Sequence, residues 1–541
     1  MKTNKYNKVV VGVISFLFPL SSFLVTSCTK DLDVTPIDPN LSLEVDYDGL
    51  FNKCYANLGL QGNGGANGDC DIDGLDGGTT GFIRQMWNSN ELTTDEAICS
   101  WGDDGIQQFD YNSYDASHPM LNGYFNRLTT GISYCNQYIE VAGDKDAQKT
   151  AEVRFLRALH YYLMMDAFGG VPFSETLSVP SYKTRSEIYE WIESELLAIE
   201  PSLAEARAKN SSDYMYGRVD KAAAWMLLMR LYFNAEVYTG NAQWGKAADY
   251  AKKVIDSPYK LNMTGTKDWS AYQMLFMGDN GESSAAYECI FPVLCDGKKT
   301  TSWGVSLFLM ASTYDTDMDA TAADPGGNNG TSEKWAGNRA RYDLVHKFFP
   351  SDNAPGDVQG YDMKKAAGDD RALFFSKGHT LKNEFGYFGD FKDGYGVAKF
   401  INYKSTGAVV KGSDAQFPDA DFFFFRVAEA YLTYAEATAR QNGDQTTSEG
   451  TEMINALRTR ANTETKTVYT LNQILDEWSR EFYFEGRRRV DLIRHGKFGG
   501  SNYKWMWKGG AKDGRSFSSH LNIFAIPAEQ VKGDIMQNPG Y

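Results

Sequence analysis

Apolar residues recur at three- and four-residue spacing along much of this chain, and that period predicts helices at 46–58, 123–141, 147–168, 220–238, 244–256, 422–440 and 449–461. In 147–168 the stripe is Val153, Leu156, His160 and Leu163, and Gly169-Gly170-Val171-Pro172 ends it. The helices come in pairs with short polar turns between them: Gly-Asp-Lys-Asp after 141, Thr239-Gly240-Asn241, and Asn442-Gly443. Small residues at Ala223, Ala235, Ala247, Ala248 and Ala251 allow close approach within the second pair. Its length and the proline beyond it, Pro258, match a tetratricopeptide unit. The pattern predicts a mainly α fold, a scaffold of tetratricopeptide-like helical hairpins over about 40–258 and 420–541. Two stretches depart from it. Residues 61–81 form a glycine-rich loop. Residues 260–420 lose the period and gain Gly, Asn and Asp, most of all at 312–334, which predicts a loop-rich, mixed lobe inserted between the helical units.

The N-terminus has a pattern of its own. Lys2, Lys5 and Lys8 precede an apolar run over 9–25, and Val25-Thr26-Ser27-Cys28 closes it with small residues before a thiol. That layout is a signal peptide over 1–27 with Cys28 at the cleavage point. It resembles a bacterial lipobox, in which the cysteine is acylated. Lys30, Asp31 and Asp33 then resemble the acidic tag of surface-exposed lipoproteins. The mature chain, 28–541, has no later run approaching the ~20 apolar residues of a membrane helix, so the reading is a protein tethered to a membrane by lipid and not spanning it.

A formal net charge of −16 sets nucleic acid aside, since a phosphate binder needs a basic face. The cluster Arg487-Arg488-Arg489, flanked by Glu481, Glu485 and Asp491, reads as intramolecular ion pairs on a helix. Once Cys28 carries lipid, six cysteines remain with no C-x-x-C pair, which favours buried free thiols over a disulfide framework. Aromatic residues are 14% of the chain, more than a core of this size requires. Rings left over for the surface are how proteins hold sugars, the apolar face of a pyranose lying on the ring.

Asp69, Asp71 and Asp73, with Gly74, match the first half of a calcium loop, but its twelfth position is Thr80 where a bidentate Glu belongs. Asx turns in a glycine-rich loop account for the same residues. Asp419 and Asp421 are a weaker candidate of the same kind. No cofactor is required by any motif, and a structural calcium stays an open alternative. There is no G-x-S-x-G, H-E-x-x-H or Walker loop. A carboxylate pair for glycoside hydrolysis is a three-dimensional fact that 70 acidic residues hide.

Six strings, in order, resemble the SusD/RagB family of Bacteroidetes outer-membrane glycan-binding lipoproteins: A-E-V-R-F-L-R-A-L-H-Y-Y from Ala151, F-G-G-V-P-F from Phe168, G-R-V-D-K-A-A-A from Gly217, F-R-V-A-E-A-Y-L-T-Y-A-E-A from Phe425, E-F-Y-F-E-G-R-R-R-V-D-L-I-R from Glu481, and I-P before Q-N-P-G-Y at the end. The resemblance implies a tetratricopeptide scaffold, no catalysis, capture of an oligosaccharide, and a SusC-like TonB-dependent transporter as partner. It is strongest to the family's starch-binding founder, which implies an α-glucan, starch or maltooligosaccharide. By the same resemblance Trp101, Trp303 and Trp335 would form the sugar cradle, with Arg84 and Asp104 as polar contacts. Trp303 stands where the founder has Tyr and Asp104 where it has Asn. Trp225 and Trp478, among apolar neighbours on helices, read as core. The rival readings are a lipoprotein glycoside hydrolase, a binder of another glycan, and a helical scaffold that contacts only protein.

Overall fold

The computed structural model describes residues 45–68, 70–319, 329–358, 360–384, 389–406 and 416–541. Tyr47–Tyr541 forms one compact unit. The expected signal peptide over 1–27, Cys28 and Asp69 lie outside the described residues.

The protein is mainly helical, and its helix ends follow the local chemistry. Asp146 accepts the backbone N–H groups of Gln148 and Lys149 and starts the helix Ala147–Phe168, and Gly169, at φ 75°, ends it. Its partner begins earlier than the apolar period indicates, at Pro119–Ala142. Pro119 sits in the first turn, where a missing N–H costs nothing, and the His118 ring accepts from Leu121 N–H at 3.2 Å. The segment 220–238 divides at Asn234 into Lys221–Phe233 and Ala235–Thr239. The helix Trp244–Ile255 packs against both Lys221–Phe233 and Val427–Gln441, and the latter packs on Ser448–Arg460.

The predicted helix 422–440 is corrected at its start. Phe422–Arg426 is a strand, antiparallel to Cys289–Val293, and the helix begins only at Val427. Four successive phenylalanines are bulky at every position and bury both faces of a strand, where a helix would leave one face exposed. This pairing stitches the 260–420 segment into the body. A second one, Ala97–Cys99 against Asn338–Ala340, does so again.

The arginine cluster does form ion pairs, one with a close neighbour in sequence and others with partners far away in sequence. Arg488 holds Asp95 at 2.7 Å, 393 residues away, and Arg487 holds Asp491 at 3.0 Å and Glu429 at 3.1 Å. Glu485 pairs with Arg426 and Lys399, each at 2.8 Å. Glu481 receives Arg426 at 2.7 Å and also Arg460, all of them buried. Burial alone would raise the Glu481 carboxyl, but the guanidinium groups of Arg460, Arg426 and Arg371 overcome it and hold it down to about 2. Glu477 is held down to about 2 in the same way, against burial, by Arg371, Arg480 and Arg458.

Candidate functional site

The short sheet Ala97–Cys99 with Asn338–Ala340 creates the site, because it carries two distant loops side by side. Beyond the strand ends Ser100 N–H donates to Gly337 O at 3.1 Å, and Ser100 Oγ donates to Ala336 O at 2.9 Å. Trp101 Nε1 then donates to Trp335 O at 2.9 Å across 234 residues. A Cβ on Gly337 would lie 2.1 Å from Cε2 of the Trp101 ring, so the ring can rest there only because Gly337 has no side chain. Trp335 Nε1 donates to Glu333 Oε2 at 2.9 Å, and the other oxygen of Glu333 accepts from Gln416 Nε2 at 2.9 Å.

Trp303 comes from a turn just ahead of the helix Ser306–Ala311. The glycine-rich loop holds it: Trp303 Nε1 donates to Ala66 O at 2.7 Å, and Ala66 N–H donates to Thr301 Oγ1 at 3.2 Å. Phe417 packs edge-on against it with centroids 4.9 Å apart.

The three tryptophans make an arc. Trp335 is the middle ring, 6.1 Å from Trp303 at 42° and 6.3 Å from Trp101 at 55°. Together with Gly78, Arg84 and Asp103 they line an open depression of about 400 Å³. All three are half-buried. Every indole N–H in the arc is spent on the protein, so the rings are fixed by their edges and offer their faces.

Arg84, on the helix Phe82–Trp87, lays its guanidinium 5.5 Å from the Trp101 ring and 5.2 Å from Phe308. Its Nε is shielded from solvent without a hydrogen-bond partner among the described residues. Burial pushes its pKa down, against the pull of Asp103. A guanidinium held in this way has donors for a ligand's hydroxyl groups.

Four of the five anticipated contact residues therefore meet in one depression. Asp104 does not: it lines a neighbouring hollow with Gln108, Asp115 and His118, and Asp103 takes its place beside the rings. The signal for Asp103 was alternation along a non-helical segment, which sets residues two apart, here Trp101 and Asp103, on one side.

Three of the calcium candidates, Asp71, Asp419 and Asp421, are engaged by protein donors. Asp71 accepts from Lys53 at 2.9 Å and Tyr134 at 3.0 Å and pairs with Arg127 at 2.9 Å, while Asp73 is exposed. Asp419 accepts from Gly297 N–H at 2.9 Å, and Asp421 from Cys295 N–H and Tyr216 OH, each at 2.8 Å. Burial raises Asp421 to about 7. Among the described residues no three His, Cys, Asp or Glu side chains converge as metal ligands, and no helix is long and apolar enough to cross a membrane. Trp478 is core, and Trp225 is half-buried against it with Nε1 on Glu200 at 2.8 Å. All six described cysteines are free thiols.

Comparison with known proteins places this architecture. The chain is 40% identical to the starch-binding protein SusD of Bacteroides thetaiotaomicron over an alignment of 580 residues that covers 100% of both chains. Among solved structures, a laminarin-binding SusD-like protein superposes with a TM-score of 0.65 at 20% identity, covering 92% of this chain and 99% of that one. Surface glycan-binding protein A from Bacteroides thetaiotaomicron, in complex with laminarihexaose, does so with a TM-score of 0.62 at 19% identity, covering 91% and 98%. The SusD family profile matches residues 296–541. From its first helix to its C-terminal tyrosine, this chain belongs to the SusD family.

Proposed function

We propose that this protein is a surface-exposed lipoprotein, anchored to the outer membrane through acylated Cys28, that captures an α-glucan on Trp101, Trp303 and Trp335 and delivers it to a SusC-like TonB-dependent transporter without cutting it. The observation that carries the reading is the arc itself: Trp101 is fixed beside Trp303 and Trp335, more than 200 residues further along the chain, and the three rings, their edges committed, line one open depression. Successive tilts of 42° and 55° suit a curved sugar chain and not a flat ribbon. Identity of 40% across the whole chain to a protein named for starch supports an α-glucan, whereas the laminarin binders share the fold with identity at only about a fifth of positions.

A neutral sugar gains no Coulomb attraction from a −16 protein, so stacking and a few hydrogen bonds must supply the affinity. That places Kd on the order of 10 µM to 1 mM, roughly −7 to −4 kcal/mol. Rings already fixed lose little freedom on binding, which favours affinity at constant contact area. Calorimetry with maltoheptaose and laminarihexaose, with and without a chelator, tests the reading. Binding of maltoheptaose alone, unaffected by chelator, is expected. Preference for laminarihexaose would replace the α-glucan, and release of shorter sugars would mean an enzyme. Co-purification of a large β-barrel with the tagged lipoprotein tests delivery, and loss of lipid labelling in Cys28→Ala tests the anchor.

A further inference from the structure

The arc has a direction, because Trp101 is an end ring and Trp335 the middle one. From Trp101 the chain runs through Asp103, which lines the aromatic depression, to Asp104 and Gly105, which line a second hollow of about 300 Å³. The segment 101–105 is thus a wall common to the two. The second hollow offers no aromatic face for stacking. Its lining is polar: Asp104, Gln108, Asp115 and Ser117 are exposed, and the His118 ring is pinned beneath them. His118 Nε2 lies 2.9 Å from Gly105 O and Nδ1 accepts from Leu121 N–H, so neither ring nitrogen is free. Asp115 commits one oxygen to Ser117 and leaves the other open.

We infer that this hollow is a second sugar subsite, which takes by hydrogen bonds the part of a linear glucan that runs past Trp101. The inference rests on the glycan-binding reading above. The chemistry complements that of the arc: carboxylate and amide groups recognise hydroxyl positions, whereas ring faces recognise only an apolar sugar surface. Together the two hollows would read a chain longer than three stacked units, and affinity should rise with chain length beyond what the arc alone provides.

A closed ring separates the two sites. Cyclomaltohexaose can lie on the arc but has no free end to extend past Trp101. Calorimetry with cyclomaltohexaose, maltotriose and maltoheptaose is done on the wild type, Gln108→Ala, Asp115→Asn and the double variant. Asn keeps the acceptor that Ser117 uses, and thermal melting checks the fold. Each single change should weaken maltoheptaose about two- to tenfold, the range of one net hydrogen bond, and leave the cyclic sugar and maltotriose unchanged. Undiminished maltoheptaose binding in the double variant overturns the subsite. So does an equal loss for the cyclic sugar, or a chain-length gain abolished by chelator, which would make the hollow a cation site. If the wild type binds none of the three sugars, it is the glycan reading that fails.

Discussion

The interior around Glu481 and the surface around Trp335 reverse the usual placement of charge and ring. Arg426, Arg460 and Arg371 lie with Glu481, Glu477 and Glu288 where solvent does not reach. Trp101, Trp303 and Trp335 lie half-exposed on loops. A buried charge is tolerated only with its partners in place, so the interior network fixes which segments meet. A half-exposed ring forgoes part of its burial energy, so under the proposed function the arc serves what lies on its outer face. One region should therefore control whether the protein folds and the other whether it binds, and substitutions can pull them apart.

The largest effect belongs to the interior. Glu481→Ala leaves three guanidinium groups short of a carboxylate and should destabilise the fold by about 3–5 kcal/mol, read as a lowered urea midpoint. A loss below about 1 kcal/mol would show that Glu288 and Glu485 suffice without it. Acid probes the same network. Glu481 and Glu477 have folded values of about 2, below the ordinary 4.5, so the unfolded chain takes up protons first as pH falls. Their contribution is present above 4.5 and is lost between 4.5 and about 2. The urea midpoint should fall from pH 7 to pH 3, and a constant midpoint would contradict the assignment.

On the surface, Trp335→Ala removes the middle ring and should cost on the order of 1–3 kcal/mol in maltoheptaose affinity, if base stacking is a fair guide, with melting unchanged. Unaltered affinity would move the site elsewhere. Gly337→Ala is subtler, since its Cβ cannot coexist with the Trp101 ring. The ring must swing aside, and sugar affinity should drop severalfold together with a change in the near-ultraviolet circular dichroism of the tryptophans. A normal spectrum would mean that the backbone yields instead.

The smallest effect is expected at Glu333, whose oxygens join Trp335 to Gln416 beside Phe417 and Trp303. Glu333→Ala should weaken binding by about 1 kcal/mol and Glu333→Gln should restore most of it, since the Gln416 amide can turn to match. Equal losses in both would point to the charge and not the clamp.

Much of the scaffold was legible. The helix 147–168 appears with the predicted bounds because an Asp cap, a 3.6-residue period and a terminal glycine all agree. The strand at Phe422–Arg426 was not, since an apolar run that short has no period of its own and its partner lies some 130 residues upstream. Among the site residues the three tryptophans and Arg84 came from resemblance to a family. Their polar loop settings supported exposure but gave no distance between them.

The sequence alone determined the bounds of the helix 147–168, the mainly helical character of the scaffold and a net charge of −16, because these depend on local chemistry and on sums over the chain. Only the tertiary structure decided that Trp101 lies on Gly337, that Asp103 and not Asp104 faces the rings, and that Arg488 answers Asp95. Those are contacts across some 235 and 393 residues. They are fixed by strand pairing and by the need of each buried charge for a partner, which no local stretch of sequence records.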